Sequence, residues 1–180
     1  MTTVTQRTTA QRLLDEAVAR VGPDSPPLST LEELARWLGE TAGELGGLDQ
    51  ATRRSRVSGA GVVLAEAPTG HVMVVRYFPP GQLTPIHGHS GWGALVLLSG
   101  HGRYETWQPV DDSYARLTNV CDLTAGDSFA WGEPPLDVHR QEGLARGATE
   151  LTIFKRHPYH TWAPQFQPEP RTVVIPKPRI

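Results

Sequence analysis

The sequence predicts an all-β barrel domain preceded by helices, on three observations. Short β-branched or aromatic runs, Val72 to Phe78, Ala94 to Leu98 and Leu151 to Phe154, alternate with Gly, Pro and Asp punctuation. Helical spacing is confined to the part before Gly46-Gly47. A chain of 180 residues is long enough for one full core and short for two.

The first helix is expected over Thr9 to Val21, where Leu13, Leu14, Ala17 and Val21 fall near a 3.6-residue period. A second begins at Ser29/Thr30 with Glu33 in capping-box register ahead of Leu34, Trp37 and Leu38, and Pro23, Pro26 and Pro27 separate the two. We divide the single domain into a helical segment over 1–50 packing on the barrel, the β-barrel over 51–165, and a proline-rich tail over 166–180. Pro164, Pro168, Pro170, Pro176 and Pro178 make the last stretch unsuited to a central strand, although Thr172 to Ile175 could form a short edge strand.

Composition excludes several classes of function. The formal net charge is -2 and acids and bases are interleaved, so there is no basic stripe for nucleic acid. The longest apolar run, Ala94 to Leu98, is far short of the roughly 20 residues that span a bilayer, and the polar stretch Thr2 to Arg7 is no signal-peptide core. A cytoplasmic protein without membrane or nucleic-acid partners is the expectation. Exposed strand edges could support a dimer, but no feature requires one, so monomer and homodimer both stay open. Cys121 is the sole cysteine, which rules out an internal disulfide and leaves His and carboxylates as the available metal ligands.

In Gly81-Gln-Leu-Thr-Pro-Ile-His87-Gly-His89 two histidines stand at i and i+2, so on an extended strand both imidazoles leave one face and can converge on one ion. A further segment follows, Ala125-Gly-Asp-Ser-Phe-Ala-Trp-Gly-Glu-Pro-Pro-Leu-Asp-Val-His139-Arg140. Together the two resemble the paired motifs of the cupin superfamily: a glycine, a gap, His-x-His, then a later glycine, a proline and a third histidine. The resemblance covers roughly Gly81 to Arg140. It implies a double-stranded β-helix (jelly-roll) barrel in which His87, His89 and His139 hold one catalytic metal.

Most metal cupins carry a glutamate four or five residues after the second histidine, where this chain has Gly93 and Ala94. That departure, with Ser90-Gly-Trp-Gly-Ala-Leu-Val-Leu-Leu-Ser-Gly100 and Tyr104-Glu105-Thr106, resembles the cysteine dioxygenase family of thiol dioxygenases. The resemblance implies ferrous iron, Fe(2+), on three neutral histidines, with a small thiol and dioxygen as partners and a sulfinate as product. Imidazole equally suits nickel, copper or zinc, so iron is an implication of the family alone.

Ser58 to Glu66, which matches the family's early strand, offers no arginine to hold a substrate carboxylate. Val74, Arg76 and Phe78 share one face of the next strand, which makes Arg76 the candidate anchor unless it turns outward or pairs with an acid such as Glu105. The family's serine-histidine-tyrosine relay has no counterpart in Glu150-Leu-Thr152-Ile-Phe154, and His157-Pro158-Tyr159 repeats the spacing only after Pro158 has ended the strand. Phe78, Trp92 and Tyr104 are the aromatic residues placed near substrate. Cys121 is read as core packing, and His71, His101 and His160 as surface histidines.

The function expected is therefore a non-haem iron(II) dioxygenase oxidising the sulfur of cysteine or a related mercapto acid. The altered anchor and relay leave room for a further oxidised product, such as a sulfonamide precursor. The competing readings are a cupin oxygenase or isomerase acting on carbon, and a non-catalytic metal-binding cupin.

Overall fold

The computed structural model describes residues 4–22, 25–161 and 163–170, with side chains from residue 9 onward in the first helix. The Thr172 to Ile175 strand, and the tail prolines beyond Pro170, lie outside the described residues. Three helices come first: α1 (Val4–Val21), α2 (Leu28–Thr41) and α3 (Leu48–Ser58). Eight strands follow: β1 (Val62–Glu66), β2 (Val72–Phe78), β3 (Ile86–His87), β4 (Gly93–Pro109), β5 (Tyr114–Thr124), β6 (Ser128–Trp131), β7 (His139–Phe154) and β8 (Gln165–Pro168).

Helix α1 starts ahead of the expected Thr9. Helix α2 has its N-cap at Pro27, in extended conformation, with no side-chain cap bond, so Ser29 and Thr30 lie inside the first turn and the expected capping box does not form. Leu31, Leu34, Ala35 and Leu38 of α2 are buried, the stripe that its period promised. Helix α3 was not expected. It runs between Gly47 and Gly59, both left-handed, and buries only Ala51 and Ser55, which leaves it almost no apolar periodicity to read. It spans the 50/51 boundary and carries the helical segment to Ser58.

The strands form one sheet in the order β1-β2-β7-β3-β8-β5-β4-β6, closed by β7 pairing with β4. Strands β4 and β7 run antiparallel from Gly93↔Phe154 to Thr106↔His139, with register breaks at Leu97/Ser99 and Gly100/Gly102 where both chains bend around the barrel corner. At that corner Gly100 (φ +86) crosses so close to the Gly147 carbonyl that a Cβ could not fit. The result is an all-β, double-stranded β-helix barrel with its helices packed on one face.

That face explains the alternation of β2. Met73 and Val75 join the core that the helices cover with Leu13, Leu14, Leu31 and Leu38, while Val74, Arg76 and Phe78 point into the barrel. Both faces are covered, so the first part of β2, Val72 to Val75, reads as a continuous apolar run. A second cluster, Phe78, Leu95, Leu97, Tyr104, Leu123, Trp131 and Ala148, fills the barrel interior.

Strand β8 corrects the expectation for the proline-rich stretch: it sits between β3 and β5 and spans the 165/166 boundary. Its prolines fall at its ends, and the amides of Gln167 and Glu169 donate to the carbonyls of Ser113 and Ala115. Among the described residues no helix is long and apolar enough to cross a membrane.

Candidate metal centre

His87 ends β3 and is the register partner of His139 at the start of β7. His89 does not lie on a strand with His87, as the i, i+2 spacing suggested; β3 ends at His87 and His89 follows in an irregular segment. What aims it is Asp137, whose buried carboxylate accepts the backbone N–H groups of His89 and Ser90, each at 2.8 Å. Gly88 is required there, because a Cβ would come within 2.8 Å of the Asp137 Oδ2. Its own N–H donates to the Pro164 carbonyl at 3.0 Å, which ties the segment to the chain entering β8.

The three imidazoles converge, with candidate ligand nitrogens within 4.8 Å of one another. The Nδ1 of His87 lies 2.9 Å from the Pro85 carbonyl, and that of His139 lies 2.9 Å from the Asp137 carbonyl. A carbonyl only accepts, so both Nδ1 atoms carry the hydrogen and both Nε2 lone pairs are left for the centre. The His139 Nε2 is buried with no hydrogen-bond partner, an orphaned acceptor that a cation would satisfy.

Burial, together with the neighbouring His87 and Arg76, holds His89 down to about 3; burial likewise lowers His87, and drives His139 well below the ordinary imidazole value. Three neutral imidazoles at neutral pH form a donor set that fits a divalent transition metal.

Aromatic rings wall the centre. Trp131 lies 4.9 Å from His139 and 5.6 Å from His89 between centroids, Tyr104 lies 5.0 Å from His139, and Phe154 lies 4.8 Å from His89. Trp131 also accounts for the missing glutamate. A Cβ on Gly93 would collide with the indole, while Ala94 points to the opposite, helix-covered face.

The cavity beside the histidines, about 30 Å³ in volume, is lined by Arg76, Phe78 and Tyr104, and also by Gln141, Glu150 and Thr152. Arg76 does not pair with Glu105, which is bound instead by Arg140 at 2.7 Å. The Arg76 guanidinium stacks 4.6 Å over Phe78 and its Nε is buried without a partner. The Tyr104 hydroxyl is buried beside Gln141 but makes no bond of acceptable geometry, and burial pushes its pKa well up, so it remains a neutral donor.

Trp92 requires a correction. It does not line the cavity; it is buried in the helix-side core, against His71 at 5.3 Å. The alternation of facing residues puts Gly93 inward and its two neighbours outward, and Trp131 takes the inward position. His71 is accordingly half-buried rather than on the surface, with Thr69 Oγ1 on its Nδ1 at 2.8 Å; His101 and His160 are exposed. Tyr159 reaches the cavity mouth, where its hydroxyl accepts the Gly61 N–H at 2.8 Å. His157 instead stacks on His160 at 3.8 Å. Cys121 is half-buried against the interior cluster, opposite Tyr104.

Asp137, Trp131, Gln141, Glu150 and Phe154 are site residues that sequence reasoning missed. Two carried a readable signal. Gln141 follows His139 at i+2 on the same strand face, and Glu150 is an acid inside Ala148 to Ile153, a run otherwise buried on both faces.

No protein-family model and no curated protein matches the chain. Among solved structures, it is similar to an uncharacterised conserved protein with a double-stranded β-helix domain from Klebsiella pneumoniae: 21% identity, 67% of this chain, 94% of that one, TM-score 0.48. It is similar also to the DMSP lyase DddQ from Ruegeria pomeroyi (19%, 58% of this chain, 49% of that one, TM-score 0.43). A third is the hydroquinone 1,2-dioxygenase PnpCD in complex with Cd2+ and 4-hydroxybenzonitrile (13%, 61% and 68%, TM-score 0.46). The match thus spans about half the length of DddQ. At these identities the likeness concerns the barrel alone. The barrel and its three inward histidines define a β-barrel protein with a candidate metal site.

Proposed function

We propose that His87, His89 and His139 hold a ferrous ion and that the protein is a dioxygenase of a small thiol. The observation that carries this reading is the combination of an all-neutral ligand set with an unpaired guanidinium in the same small cavity. Three imidazoles leave the full dipositive charge on the metal, which favours an anionic thiolate. When bound there, iron supplies the redox chemistry by which thiolate sulfur loses four electrons to dioxygen and both oxygen atoms end on the sulfinate.

The chain's own residues bind and orient. Arg76 and the Tyr104 hydroxyl present unpaired donors to an acceptor group on the substrate, and a carboxylate satisfies both. Phe78, Trp131 and Phe154 exclude water around the reacting sulfur, and the cavity of about 30 Å³ suits a small substrate.

One observation favours a second reading. Burial pushes Glu150 up to about 7, against the opposing pull of Gln141 and Arg76, and a carboxyl poised there suits proton transfer on a carbon substrate in a non-oxidative isomerase or lyase. Oxygen uptake separates the two. The test is metal content after anaerobic reconstitution, followed by oxygen uptake with cysteine, cysteamine and 3-mercaptopropionate. Iron near one per chain, with uptake for one thiol that His89→Ala abolishes, is the expected result. Bound iron without uptake from any thiol would move the assignment to carbon chemistry, and failure to bind metal would remove it.

A further inference from the structure

Beyond the histidines the cavity has a polar floor. Gln141 stands two residues past His139 on the same face of β7, about 7 Å along the strand. Its Nε2 donates to both carboxylate oxygens of Glu150, at 2.9 and 3.0 Å. Both residues are more than nine-tenths buried and both line the cavity.

Glu150 is the register partner of Arg76 across β2 and β7, yet no ion pair joins them among the described residues. The cavity therefore holds a guanidinium and a carboxylate side by side, each with capacity left. A carboxylate offers about four lone-pair sites, and Gln141 uses two. Burial this deep favours the neutral acid unless a cation compensates the carboxylate; Arg76 supplies part of that compensation, and a further cation beside Glu150 would complete it.

Resting on the thiol reading above, we propose that Gln141 and Glu150 form a second subsite, in which Glu150 receives an ammonium group of the substrate while Arg76 and Tyr104 receive its carboxylate. The subsite selects an amino thiol over a thiol carrying an acid alone, and Glu150 is the specificity-determining residue. Gln141 positions it, since its amide donates to both carboxylate oxygens of a residue that lines the cavity. Nothing in this assignment requires the ammonium to bind the metal.

The test is anaerobic calorimetric titration of the iron-loaded protein with cysteine, cysteamine and 3-mercaptopropionate. Cysteine, which carries both charges, is expected to bind about tenfold or more tighter than either single-charge thiol. In Glu150→Gln the ratio of cysteine to 3-mercaptopropionate affinity is expected to fall by about tenfold, whereas Arg76→Met lowers the ratio of cysteine to cysteamine instead.

Equal affinity of the unaltered protein for cysteine and 3-mercaptopropionate would overturn the subsite without reference to any variant. So would a Glu150→Gln protein that weakens all thiols alike. If oxygen uptake with a thiol persists in either case, only the subsite falls. Charge-selective binding without oxygen uptake would uphold the subsite and overturn the oxygenase reading, and no binding of any of the three would overturn both.

Discussion

At the residue scale the site depends on side chains that do not touch the metal position. Asp137 is the clearest case: one carboxylate oxygen takes the two amides that fix where His89 points. Asp137→Ala should release the amides that hold His89 and so reduce metal affinity by roughly 10- to 100-fold, measured by competition with a chromophoric chelator. Glu150 makes a pH prediction for the metal-free protein. Its ordinary value of 4.5 is raised to about 7 in the fold, so the folded state holds the proton more tightly than the unfolded chain. The contribution to stability is full below pH 4.5 and is lost as pH rises through about 7. Glu150→Gln cannot titrate, so its thermal midpoint should gain on that of the parent between pH 4.5 and 8, and an unchanged gap would refute the shift.

At the element scale, helix α3 does more than its weak periodicity implies. Ser55, fully buried, accepts the N–H of Tyr77 at 2.9 Å and donates to the Ala60 carbonyl at 2.8 Å, so one hydroxyl bolts α3 to β2, the strand that carries Arg76. Ser55→Ala leaves the half-buried Tyr77 amide unpaired and should cost about 1–2 kcal/mol, read from urea unfolding, with Ser55→Thr recovering part of it. Strand β8 plays the matching part on the other side, where chain pairing beside His87 and the Pro164 carbonyl on Gly88 hold the His87-x-His89 segment. A two-residue strand such as β3 has little stability of its own. Its position comes from β7 and β8.

At the scale of the whole molecule, three neutral imidazoles converging in a water-poor barrel tie metal binding to folding. A metal that binds only the folded state stabilises it by mass action, about 2.7 kcal/mol when free metal is 100 times its dissociation constant. The thermal midpoint should therefore rise with added ferrous iron under argon, and the rise should vanish in His89→Ala. A rise that survives His89→Ala would place the binding elsewhere.

By itself the sequence determined the bounds of β2 and the face shared by Val74, Arg76 and Phe78, because strand period is a local property of the chain, while the barrel type and the three histidines were legible through the resemblance of two motifs to a known family. It did not determine α3, whose stability lies in two buried side chains and two glycine caps, or β8, whose partners lie far away in the chain. The exchange of Trp92 for Trp131 beside the histidines, the aim given to His89 by Asp137, and the meeting of Gln141 with Glu150 and Arg76 arise only when β2, β4, β6 and β7 close on one another. Which of two tryptophans faces a metal is settled by register and by volume at Gly93, and both are properties of the closed barrel rather than of either strand.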